Sequence, residues 1–182
     1  MAGRVGAVKR RLLIVPVAMG LAVAVYFLLL RDTSVAPHLT PTRPTAVIGG
    51  GSEAVAVAAD GAILGWLPAP EEGSLPRLPL EAPPKDGRLH GPVLEQAKVL
   101  GAAPAALRPY LEGSYFGESG VDVKLTSGVE LRFGNADQAR RKWRAAAAVL
   151  ADPSVTTLDY VDLHAPSHPD VGGSGHTLPP PP

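Results

Sequence analysis

The chain contains no cysteine. Disulfides, thiolate zinc sites and a cysteine nucleophile are therefore excluded, while the compartment stays open. It also has no excess of either charge, with 17 Lys and Arg against 17 Asp and Glu. No basic cluster of the kind a nucleic-acid footprint needs stands out. The Gly-Lys-Ser/Thr ending of a phosphate loop is missing too: Gly49-Gly50-Gly51-Ser52 runs into a strand pattern instead of a helix. What is abundant is Gly and Pro, 20 of each, so much of the chain is loop or linker. A length of 182 residues allows one modest domain with appendages.

Charge is unevenly placed. Arg4, Lys9, Arg10 and Arg11 precede the first long apolar run, and every acid follows it. Residues 12–30 carry no charge. At about 1.5 Å per residue they span roughly 28 Å, close to a bilayer core. The pattern predicts a single transmembrane helix over residues 12–30 with a cytoplasmic basic tip at 1–11. Ala22-Val23-Ala24 offers a rival reading as a signal-peptide cleavage site, but the apolar run continues past it. On either reading the rest faces the exterior. Residues 31–42, with Pro37 and Pro41, read as a linker.

Two runs, 121–126 and 129–134, alternate apolar with polar residues around Ser127-Gly128 and predict a hairpin. A second hairpin is expected at 54–64 around Asp60-Gly61. Thr45–Ile48 is a short β-prone run, and 110–116 a further strand. Residues 68–92 read as irregular crossing segments. Pro92 opens a short helix through Leu100, with Gly101 after its end. The main helix is expected from Asn135, an N-cap, to Asp152-Pro153. Its apolar stripe is Ala136, Ala139, Trp143, Ala147 and Leu150, with Arg140, Arg141, Lys142 and Arg144 on the other faces. That arginine cluster reads as a solvated face, with anionic lipid headgroups as the rival contact. Residues 158–163 are the last strand, and residues 167–182 are expected to be a disordered Pro/Gly-rich tail.

Candidate chemistry is thin. His164, His168 and His176 with Asp170 lie on a tail that lacks a rigid supporting shell, so no metal is assigned. Asp159 and Asp162, three apart on a strand, point to opposite faces and make no carboxylate pair. Gly172-Gly173-Ser174-Gly175 has no strand before it and is no nucleophile elbow. Trp143 reads as core, and Trp66 as either a core lid or an exposed contact. No catalytic residue and no cofactor is assigned.

The segments Arg43-Pro44-Thr45-Ala46-Val47, Asp60-Gly61-Ala62-Ile63-Leu64, residues 126–134, Lys142, and Leu158-Asp159-Tyr160-Val161-Asp162-Leu163 together resemble the C-terminal part of the FtsQ/DivIB cell-division proteins. The resemblance covers about residues 43–166 and implies that Lys142 is set inward on its helix. It implies a membrane-anchored, non-enzymatic scaffold that holds the coiled-coil division proteins FtsB and FtsL and influences septal wall synthesis. One departure is large: the POTRA module that family members carry between anchor and β domain has only about a dozen linker-like residues in its place. A segment that short cannot bury a core.

The fold class expected is α+β. After the anchor, a mostly antiparallel mixed sheet over 43–166 carries one main helix and a shorter one. The function expected is partner binding by strand addition at an exposed edge strand. The predicted contact residues are Leu158, Asp159, Tyr160, Val161, Asp162, Leu163, His164, Ala165 and Pro166. Tyr160 and Asp162 share one face, and alternation leaves open whether that face is core. The expected partners are FtsB/FtsL-like membrane proteins and the membrane itself, with no nucleic acid and no small-molecule substrate. The expected location is the cytoplasmic membrane, single-pass, with the C-terminal domain outside. The alternatives are a secreted or tethered cell-wall hydrolase, for which no catalytic pair is found, and a degenerate family member without its partners.

Overall fold

A computed structural model describes residues 42–178. The predicted basic tip, the predicted span and nearly all of the predicted linker lie outside these residues. Among the described residues no helix is long and apolar enough to cross a membrane. Besides two short 3-10 turns, the described residues form nine strands and α-helices in chain order: β1 (Pro44–Ile48), β2 (Val55–Ala58), α1 (Gly91–Gly101), β3 (Leu111–Gly117), β4 (Gly120–Leu125), β5 (Glu130–Gly134), α2 (Ala139–Leu150), β6 (Thr157–Asp162) and β7 (Asp170–Thr177).

The strands form two ladders, β1-β2 and β3-β4-β5-β6-β7. All neighbours are antiparallel except β5 and β6, whose connection runs through α2. A parallel pair needs such a crossover because a tight turn cannot reverse the chain twice. The mixed α+β fold is as expected. Arg77, within the irregular 68–90 segment, joins the ladders by single bridges to Val47 and to Gly113. The expected hairpin at Asp60-Gly61 forms: Asp60 Oδ1 accepts from the Ala62 N–H at 3.1 Å, and Ile63 bridges back to Val57.

Both helices pack into one core on one face of the sheet. Val121, Val123, Leu125, Leu131 and Phe133 point into it, and alternate residues point away. From α1 it receives Ala97, Val99 and Leu100. The buried Gln96 of α1 accepts a hydrogen bond from Ser114 Oγ of β3 at 2.9 Å. Gly101 lets the end of α1 press on Ala59, where a Cβ would stand 2.2 Å from the alanine methyl.

Helix α2 starts four residues later than Asn135. Asn135 Oδ1 instead accepts from the Asp137 N–H at 3.1 Å, closing a local turn, and Gln138 precedes the helix with φ of 54°. Such a side-chain turn competes directly with helix capping. The buried residues of α2 are Ala139, Lys142, Trp143 and Ala146; Ala147 and Leu150 are only half-buried. Arg140, Arg141 and Arg144 are exposed, but Lys142 is not on their face. Its ammonium donates to Phe133 O at 2.6 Å, Asn135 Oδ1 at 3.0 Å and Asn135 O at 3.2 Å. Burial lowers its pKa, partly opposed by the charges of Asp137 and Asp162.

Trp143 is fully buried. Its ring centroid stands 4.8 Å from that of Phe133, tilted by 52°, and its Nε1–H donates to Val99 O at 2.7 Å. Trp66, by contrast, is 75% exposed. Trp143→Ala is expected to cost roughly 3–5 kcal/mol in a denaturant melt, as a large core truncation. A loss below about 1 kcal/mol would contradict the packing described.

Candidate partner-binding face

Strand β6 is not an edge. It pairs with β5 on one side and with β7 on the other. The predicted disordered tail is thereby corrected, because Asp170–Thr177 is a strand. The glycines taken as a mark of disorder fit around two β6 side chains. Tyr160 pairs with Gly172 and Leu158 with His176, so 173–175 lie opposite Asp159 alone. The Asp159 carboxylate fills that bulge and accepts from the Gly175 N–H at 2.7 Å. A Cβ on Gly172 would stand 2.6 Å from the Tyr160 ring, and Gly173 has φ of 81°. Only glycine meets both demands at low cost.

The predicted contact residues divide accordingly. Leu158, Val161 and Leu163 are buried in the core and offer no surface. Tyr160 and Asp162 lie on the face away from the helices, which answers the question alternation left open. The Arg132 guanidinium stacks 3.9 Å above the Tyr160 ring, a cation–π contact. Asp162 Oδ1 accepts the His164 N–H at 2.9 Å and faces His164 Nδ1 at 2.7 Å. Burial pushes the Asp162 carboxyl up, but these His164 contacts outweigh it and its pKa is lowered. His164 and Ala165 are exposed and Pro166 is half-buried, in the turn closed by His168 N–H donating to Ala165 O at 2.9 Å.

The histidines go to separate places. His164 sits by Asp162, the His168 ring meets Ser167 Oγ at 3.0 Å, and His176 lies over Gly128. Among the described residues no cluster of three or more His, Asp or Glu is placed to hold a metal.

Beside Asp162 the open face holds a residue that sequence reading passed over. Asp122 of β4 points away from the core yet is only 7% exposed, and among the described residues its Oδ1 has no hydrogen-bond partner. Its strand neighbours are Tyr115 and Arg132. Burial raises its pKa, Glu130 adds to the effect, and Arg132 and His164 oppose it. Burial likewise raises the Tyr115 hydroxyl, with Glu130 again contributing. The outward position of Asp122 was legible in the alternation; its burial under neighbouring side chains was not.

Strands β3 to β6, their βαβ crossover and the buried lysine sit within residues 46–164, which match the model of the family described as cell division protein FtsQ/DivIB, C-terminal. The chain belongs to this family. No curated protein matches it. The match to FtsQ/DivIB ends at His164, so β7 extends beyond the residues it covers. Membership in FtsQ/DivIB gives the domain a role in cell division.

Two substitutions probe this face of the FtsQ/DivIB domain. Asp159→Ala should leave the core intact but speed amide hydrogen exchange across 171–177 several-fold, since it removes the acceptor inside the bulge. Asp122→Asn should stabilise the domain at pH 7, because it removes the charge that burial disfavours while keeping the side chain's shape. The folded-state pKa of Asp122 is raised, so its penalty is absent below the unfolded value near 3.8 and grows as pH rises through the folded value. Melts of both proteins should therefore converge toward pH 4, and a gain independent of pH would contradict an ionised, unpaired Asp122.

Proposed function

We propose that this domain is a non-catalytic scaffold of the division machinery, anchored in the cytoplasmic membrane by residues 12–30, that captures a strand of an FtsB/FtsL-like partner along β7 and so influences septal wall synthesis. The observation that carries this reading is the position of β7. It pairs with β6 on one side, and its other side closes the five-stranded sheet. An outermost strand presents backbone donors and acceptors that an incoming strand satisfies directly. Most residues of β7 are exposed, and Val171 is 48% exposed as an apolar contact beside that edge.

The original contact residues keep a part in this reading. Tyr160, with Arg132 stacked on it, borders β7 on the open face, and Asp162, His164, Ala165 and Pro166 line the connection into it. Asp159 acts from beneath by holding the bulge. Leu158, Val161 and Leu163 support the strand from the core. Main-chain pairing supplies affinity, while Tyr160 and Val171 supply side-chain discrimination.

The test is binary co-purification of the full chain with its cognate FtsB/FtsL-like proteins, alongside Val171→Asp and a chain ending at Pro169. Circular dichroism should show both variants folded. Both should lose at least tenfold in affinity. Binding retained or strengthened after removal of β7 would move the interface to the β6 edge that β7 covers. Unchanged binding by Val171→Asp would remove Val171 from the interface.

A further inference from the structure

His164 stands where three elements meet. Its ring rests on the backbone of Gly134 at the end of β5, where any Cβ would stand 2.4 Å from Nε2. Nδ1 faces Asp162 Oδ1 at 2.7 Å, and Nε2 faces Ser119 O, in the β3–β4 turn, at 3.2 Å. A carboxylate and a carbonyl are both acceptors only. A neutral imidazole has one N–H and one lone pair, so it satisfies one of these contacts and sets a lone pair against an oxygen in the other. Only the imidazolium donates at both ends.

We propose that His164 is a pH-sensitive latch that fastens the exit of β6, and with it the connection into β7, to the tip of the β3–β4 hairpin. Neutral His164 keeps its proton toward Asp162, whose carboxylate is the stronger acceptor, and lets go of Ser119. The charged groups around it act in both directions. Asp162 on β6 and Asp122 on β4 favour the charged ring, and Lys142 on α2 disfavours it. Arg132 on β5 lies opposite Asp162 and competes for its charge.

The Asp162 contact, more than the opposing burial, raises the His164 pKa above its ordinary value of 6.5. For a base whose folded pKa is raised, the stabilising contribution is complete below the unfolded value and is lost as pH rises through the folded one. The latch is therefore closed below about pH 6.5 and opens above it, across the range where histidine is the usual sensor. The ring is partly exposed, so what changes is the local order of 117–120 and 164–169 and not the stability of the domain.

The effect on capture at β7 rests on the scaffold reading above; the latch itself does not, and its test uses no partner. Nuclear magnetic resonance of the labelled full chain in detergent micelles follows the His164 ring and the Ser119 and Gly120 amides from pH 5 to 9. The ring should titrate above 6.5, with both nitrogens protonated at the acid end. The two amides should move along the same curve. In His164→Gln they should stay still over that range, and Asp162→Asn should lower the ring's titration point. A ring that titrates at or below 6.5, or amides that ignore it, would overturn the latch whatever the partner experiment shows.

Discussion

The hydrogen bond from the indole of Trp143 to Val99 O, and the tilted contact of the same ring with Phe133, bring α1, α2 and β5 to one point. The crossover from β5 to β6 has to pass over the sheet, and this contact decides where it lies. Beside it the Lys142 ammonium gathers the carbonyls that β5 releases as the strand ends. Phe133 O also accepts the Asn135 N–H at 2.9 Å, so the ammonium adds a second donor where the strand ends. With α2 held, β6 returns parallel to β5, and β7 is built on β6. The arrangement of the open face is thus a consequence of packing on the covered one.

Much of this was legible from residue order. Alternation across 121–133 and the turn at Ser127-Gly128 gave the β4–β5 hairpin, and the spacing of Ala139 and Trp143 gave the buried stripe of α2. What escaped was governed by particular side-chain contacts. Asn135 has the composition of a cap but spends its oxygen on Asp137 and Lys142. By helical position alone Lys142 is one more basic residue in an exposed run; the family resemblance sets it inward, and there a strand end supplies its acceptors.

The candidate site shows the same division. The sequence pattern singles out residues 158–166, yet three of them are core, and the strand beyond them has the composition of a disordered tail. Gly172, Gly173 and Gly175 lack side chains to signal a strand. Their meaning comes from Asp159 and Tyr160 on the neighbouring strand, a relation no local pattern contains. Glycine there is a complement to another residue's shape.

Arg77 has a mechanical implication. Between β1 and β3 the sheet continues through this one segment, held by Val47 N–H to Pro76 O and Leu78 N–H to Val47 O at 2.9 Å on one side. On the other side stand Arg77 N–H to Glu112 O and Ser114 N–H to Arg77 O at 3.1 Å. A third bond, Gly49 N–H to Leu80 O at 3.1 Å, also joins the segment to β1, so it is tied to β3 by fewer bonds than to β1. The helix α1, which packs against β1, β2, β3 and β4, spans the same seam, so a load crossing it falls on side-chain packing as well as on these few main-chain bonds.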